Sequence, residues 1–169
     1  EYTQALKCFD DIWQRFRRER LLMDWICSIP LVLGVSIYWL AQKRFDCVQQ
    51  EAERLCELAA QPGERTYLAL GHHLLAEVAL AQRKWEDAEH EVAIAFAALE
   101  GVEAPLAEWR VYASAARIAE QRRRKAQART YWEHSKAVLL RLADSFEHND
   151  PLRQTFLMQP TVKTIVERS

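Results

Sequence analysis

The chain is poor in the residues that interrupt helices: its 169 residues include only four glycines and five prolines. A β-rich domain would need many more, because strand ends and hairpins call for special backbone angles. Charge of one sign is also missing, with 23 basic side chains against 24 acidic ones. A net charge of −1 provides no global field to draw in nucleic acid or an anionic membrane. Cys8, Cys27, Cys47 and Cys56 form no Cys-x-x-Cys pair and sit among apolar helix residues. They read as buried free thiols in a reducing cytoplasm. The sequence has no glycine-rich phosphate loop, no Gly-x-Ser-x-Gly turn and no His-Glu-x-x-His or similar metal-ligand spacing. His72, His73, His90, His134 and His148 are therefore read as ordinary helix residues, with no metal and no cofactor expected.

What is present favours helix. Half the residues are hydrophobic, enough for a core, and 28% are charged, enough for a solvated surface. Ala, Leu, Glu, Arg and Gln are all good helix formers. The composition predicts an all-α domain.

An internal repeat organises those helices. Gln42-Lys43-Arg44-Phe45, Gln82-Arg83-Lys84-Trp85 and Arg122-Arg123-Arg124-Lys125 recur every 40 residues without a gap. The register extends upstream through Trp39, Ala79 and Ala119, and downstream through Ala52, Val92 and Trp132, then Leu55, Ala95 and Ser135. Large and small residues trade places across the copies, as they must where helices share a contact. Within a copy, the apolar residues Trp85, Ala88, Val92, Phe96 and Leu99 follow helical spacing. Each copy reads as helix, short basic turn, helix.

The helices are expected at 2–20, 22–42, 45–60, 66–82, 85–99, 105–121, 125–146, 151–157 and 160–167. Thr66 is expected as a helix cap, Pro105 as a first helical residue, and Asp150 as the cap before Pro151. This divides residues 1–169, a single domain, into an orphan second helix (2–20), three hairpins (22–60, 66–99 and 105–146) and a capping tail (150–168). The orphan helix and the initial Glu1 suggest a piece of a longer protein.

Leu75-Ala76, Ala79, Trp85, Ala88 and Ala95 resemble the tetratricopeptide pattern of small and large residues across two antiparallel helices. Two features depart from that family: the period exceeds its usual 34 residues, and Lys43, Arg83 and Arg123 stand where it has glycine. The resemblance implies an α-solenoid of about three and a half stacked hairpins with a C-terminal capping helix. A narrower resemblance rests on Glu64 to Leu70, Ala104 to Val111, Leu142 to Phe146 and Asp150 to Leu157. These segments look like the C-terminal repeat region of large bacterial signalling and transcription-regulating ATPases. That resemblance implies a cytoplasmic regulatory or protein-binding role and transfers no catalytic residue.

In such stacks the first helix of each hairpin lines the inner face. Leu33, Ile37 and Leu40 are the expected inner residues of the first hairpin, then His73, Glu77 and Leu80, then Ala113, Arg117 and Glu120. Leu33, Ile37 and Leu40 would anchor a protein or peptide partner, while His73, Glu77, Arg110 and Arg117 orient it. The partner could be another domain of the same polypeptide or a second copy. Residues 25–41 carry no charge, yet the 40-residue register and the central Ser28, Pro30 and Ser36 favour a buried helix over a membrane span. The basic runs Arg15 to Arg20 and Arg122 to Lys125 are diluted by acids and argue against nucleic acid. Three rival classes stay open at this point: a nucleic-acid-binding helical repeat, a small-ligand effector domain, and an enzyme with an unfamiliar site.

Overall fold

A computed structural model describes residues 2–18, 24–61, 63–148 and 150–168. Among them nine helices and no strand occur: α1 (Tyr2–Arg18), α2 (Asp24–Ala41), α3 (Phe45–Ala60), α4 (Arg65–Ala81), α5 (Trp85–Leu99), α6 (Pro105–Gln121), α7 (Lys125–Asp144), α8 (Pro151–Met158) and α9 (Pro160–Val166). The chain is all-α, as its composition predicts, and consecutive helices pack in adjacent pairs. The expected helix ends lie within two residues of the observed ones wherever both are described.

The three basic turns share one geometry. Lys43, Arg83 and Arg123 all have positive φ, at 56°, 59° and 58°. In the third of these turns, the Arg123 N–H donates to Glu120 O at 3.0 Å and the Arg124 N–H reaches back to Ala119 O at 2.8 Å. The same pair of bonds recurs from Lys43 to Leu40 and Arg44 to Trp39, and from Arg83 to Leu80 and Lys84 to Ala79. This is the Schellman arrangement, which satisfies the last carbonyls of the outgoing helix. Each turn then delivers Arg44, Lys84 or Arg124 at φ near −89° as the residue before the next helix. The left-handed position usually holds glycine, because a Cβ there is crowded by about 1 kcal/mol. All three copies hold a long cation instead, beside a helix C-terminus whose partial negative charge it complements.

The links between pairs use glycine in that role: Gly63 and Gly101 have φ of 75° and 71°. Pro62, next to Gly63, lies outside the described residues. Asp150 caps α8 as expected, accepting from the Leu152 N–H at 2.7 Å, and Pro105 opens α6. Thr66 is not a cap. Glu64 occupies the cap position and Arg65 is the first helical residue, so Thr66 falls inside the first turn.

Burial follows the same period. Val48, Ala88 and Ala128 are buried, as are Leu55, Ala95 and Ser135. These side chains build a chain of three clusters. One joins α2, α3 and α4 around Val32, Leu55 and Leu74, and the next joins α4, α5 and α6 around Ala76, Ala95 and Val111. The last brings α9 onto α6 and α7, with Val162 and Ile165 against Val138 and Leu139. Burying a leucine such as Leu55 stabilises by about 2 kcal/mol.

The cysteine expectation needs correction. Cys8 and Cys27 are exposed, and Cys47 and Cys56 are only half-buried. Among the described residues α1 packs mainly against α2, which leaves much of its surface, Cys8 included, in water. Cys27 follows the exposed Ile26 on the outer side of α2. Pro30, whose missing N–H removes one helical bond, also faces out, where water can serve the freed carbonyl. No helix among the described residues is long and apolar enough to cross a membrane. The side chains of Arg15 to Arg20 lie outside the described residues.

Candidate functional site

The first helices of the pairs lie side by side, α2 against α4 and α4 against α6. The seven residues singled out from the sequence lie on these three helices. Leu33 is half-buried and packs into both of the first two clusters, and Leu40 packs into the first. Ile37, between them, is 45% exposed. Only one of the three aliphatic anchors therefore presents a large apolar surface to water. Gly34 sits beneath α1, with the Phe9 ring 3.0 Å from where a Cβ would be.

The next stretch of the face is polar and closed. His73 and Glu77 stand one turn apart on α4, and Ser114 and Arg117 meet them from α6. Ser114 donates to Glu77 Oε1 at 2.5 Å, so its oxygen is left to accept from the His73 Nδ1–H at 2.9 Å. The Arg117 guanidinium donates to the same Glu77 oxygen, and its Nε–H to Ala113 O at 3.3 Å. Three of the seven residues, His73, Glu77 and Arg117, are thus brought into one network.

Arg110 is nearby but points elsewhere. Its guanidinium donates to Leu106 O and lies 4.2 Å from the centre of the Trp109 ring. Burial lowers the Arg110 pKa. The Arg110 carbonyl lies 3.2 Å from Ser114 Oγ, a more distant alternative acceptor for the same proton.

Burial pushes His73 down from the ordinary 6.5 to about 4; Glu77 opposes the shift, while Arg117 and Arg110 reinforce it. The imidazole is therefore neutral at neutral pH, in keeping with its role as a donor to Ser114. Ser114 is fully buried and its proton is directed at a carboxylate, so it cannot act as a nucleophile on a substrate from solvent. The Arg117 side chain is 42% exposed, which leaves part of its donor fork facing the open side of the network.

The sequence reading missed Ser114, the central atom of this network. Its counterparts, Gly34 and Leu74, carry no hydroxyl, so nothing in the repeat flagged it. The remaining inner-face expectations divide. Ala113 is buried in the third cluster, Leu80 packs on the second, and Glu120 turns toward the C-terminal tail to pair with Arg168 at 2.9 Å.

On the other side of α4 and α6 lie two further groups. His72 donates from Nδ1 to Glu91 Oε2 on α5 at 2.7 Å. One copy on, Tyr112 and Tyr131 replace that pair and meet Phe96 in an aromatic cluster, with centroids 5.0 Å and 6.0 Å from Phe96. His134 stacks on Tyr112 at 4.9 Å. Among the described residues no three His, Cys, Asp or Glu side chains converge on a metal position. Comparison with protein-family models, with curated proteins and with solved structures returned no match.

Proposed function

We propose that this chain is a non-catalytic binding array: a tetratricopeptide-like α-solenoid of three hairpins, preceded by a lone second helix and closed by the tail. The observation that carries this reading is the alignment of α2, α4 and α6 behind three turns of one geometry, 40 residues apart. Such an arrangement makes a continuous face whose chemistry changes along its length. Exposed aliphatic surface at Ile37 gives way to the carboxylate of Glu77 and then to the half-exposed guanidinium of Arg117.

The occupant is a protein or peptide segment with an apolar side chain at one end and a charged or polar group at the other. In the bacterial signalling ATPases that the sequence resembles, this occupant would be another domain of the same cytoplasmic polypeptide or a regulatory protein. Arg117 is the better polar contact, because Glu77 and His73 are already engaged with each other's neighbours.

Selection of peptides from a random display library against this chain tests the reading. Selected peptides are expected to share an apolar anchor and to lose binding with either Ile37→Asp or Arg117→Glu, while helicity by circular dichroism is retained. Peptides that bind equally well to both variants would sink the assignment of this face.

A further inference from the structure

A second surface, independent of the inner face, carries its own chemistry. Where α9 folds back on α7, a cleft of about 730 Å³ opens beside the third basic turn. The cleft is half open to solvent. Arg123, Lys125, Arg129, Lys136 and Arg168 line it, against the carboxylates of Glu120 and Glu133. Five cations less two carboxylates leaves an excess of three positive charges, in a chain whose net charge is −1.

The pairings inside the cleft show which cations are held and which are not. Arg129 bonds Glu133 at 2.8 Å, one turn along the same helix. Glu120 accepts from both Arg168 and the Trp132 indole N–H, each at 2.9 Å. The Arg168 guanidinium also lies over the Trp132 ring at 4.0 Å, and Lys136 donates to the Arg168 carbonyl at 3.2 Å. Arg168 is thus fixed from two sides before any ligand arrives, and it covers the ring that a planar base would otherwise use. Arg122 and Arg124 turn away to Glu89 on α5, at 3.5 Å and 2.8 Å. Arg123 and Lys125, between and beside them, line the cleft with no acidic partner among the described residues.

We infer that the α7–α9 cleft binds a small polyanion carrying at least two phosphate groups. Arg168 serves as the preset contact, with Arg123, Lys125 and Lys136 closing on the remaining charge. The charge excess suits a polyphosphate, and the covered indole leaves no place to read a base.

Isothermal titration of the chain at low ionic strength with tripolyphosphate, ATP and adenosine tests this. Tripolyphosphate and ATP are expected to saturate one site with similar affinity, and adenosine to show no heat. The Arg123→Ser/Lys125→Ser variant should weaken tripolyphosphate at least about tenfold, since two phosphate contacts are lost. Arg83→Ser/Lys84→Ser, which removes charges from the equivalent turn one hairpin earlier, should leave it nearly unchanged. If the first variant loses helicity, Lys136→Gln reads the same cleft and should also weaken binding. The proposal is overturned by absence of saturable polyphosphate binding, by equal loss in the two double variants, by adenosine binding as ATP does, or by a Lys136→Gln protein that binds normally.

Discussion

The contact between the first and second hairpins and the contact between the second and third join equivalent helices through different chemistry. At the first, α3 and α4 approach over Gly71, where a Cβ would lie 2.5 Å from Cys56 Sγ. At the second, Val111 stands in the place of Gly71 and is fully buried, while Phe96 takes the place of Cys56 and turns to the aromatic cluster. Beside the first, within the second hairpin, His72 hydrogen-bonds Glu91 at 2.7 Å; beside the second, Tyr112 and Tyr131 hold the corresponding positions and meet Phe96. The inner sides differ as much: Leu33 packs in apolar contacts at the first, and His73, Glu77, Ser114 and Arg117 bond at the second. The lesson is that a repeat fixes where helices meet and leaves open what holds them there. Close approach through a small residue suffices at one contact, and a satisfied polar network does so at the other.

Breaking the first contact should have the largest effect. Gly71→Val, which copies Val111, is expected to destabilise by about 3 kcal/mol, because the Ala52 carbonyl is also only 3.3 Å from the new Cβ. Urea denaturation measures it. Adding Cys56→Ala should recover part of the loss, and no recovery would mean that backbone, not Sγ, is the obstacle. Burial and neighbouring carboxylates push the Cys56 thiol up to about 12, so it should also resist alkylation in the folded chain.

The second contact is sharpened by pH. Unfolded histidine takes its proton near 6.5, whereas folded His73 does so only near 4, so the unfolded state holds more protons in between. The His73 contribution to stability is therefore fully present above pH 6.5 and is lost as pH falls toward 4, by up to about 3 kcal/mol. His73→Asn keeps a donor for Ser114 without the titration. Its denaturation midpoint should vary less across that window than the wild-type midpoint; identical profiles would show that His73 is not the group responsible.

The smallest effect probes what the two contacts share. Arg83→Gly, at the left-handed turn position, should stabilise by about 0.5–1 kcal/mol and raise Tm by a few degrees. Lys43→Gly should do the same. A stabilisation at one turn and a loss at the other would show that the side chains, not the backbone angle, dominate.

The helices and their turns were legible in the sequence because local rules decide them. Cation-rich turns recurring at a fixed step, Pro105 and Asp150 at helix starts, and apolar stripes at helical spacing are all short-range signals. The inner face was legible as positions and not as contacts. His73, Glu77 and Arg117 could be placed on it by register, but their union through Ser114 depends on how α4 and α6 lean together, which no spacing encodes. Leu33 and Leu40 were read as available anchors because helical phase does not say how deeply neighbouring helices sink into each other. The tail cleft escaped for a related reason. Trp132 and Arg168 are far apart in sequence and meet only because α9 turns back across α7.

The polar network between α4 and α6 has a consequence for registration. Sliding α6 one turn along α4 would separate Glu77 from Ser114 and Arg117 and leave a nearly buried carboxylate and imidazole without partners. That penalty is steep and one-sided, so the third hairpin docks on the second at a single setting. Between α2 and α4 the inner contact is apolar, and the close approach over Gly71, not hydrogen bonding, sets how the second hairpin meets the first. Register at the third hairpin is therefore set by direction, through bonds that fail when misaligned, and at the first by steric fit alone.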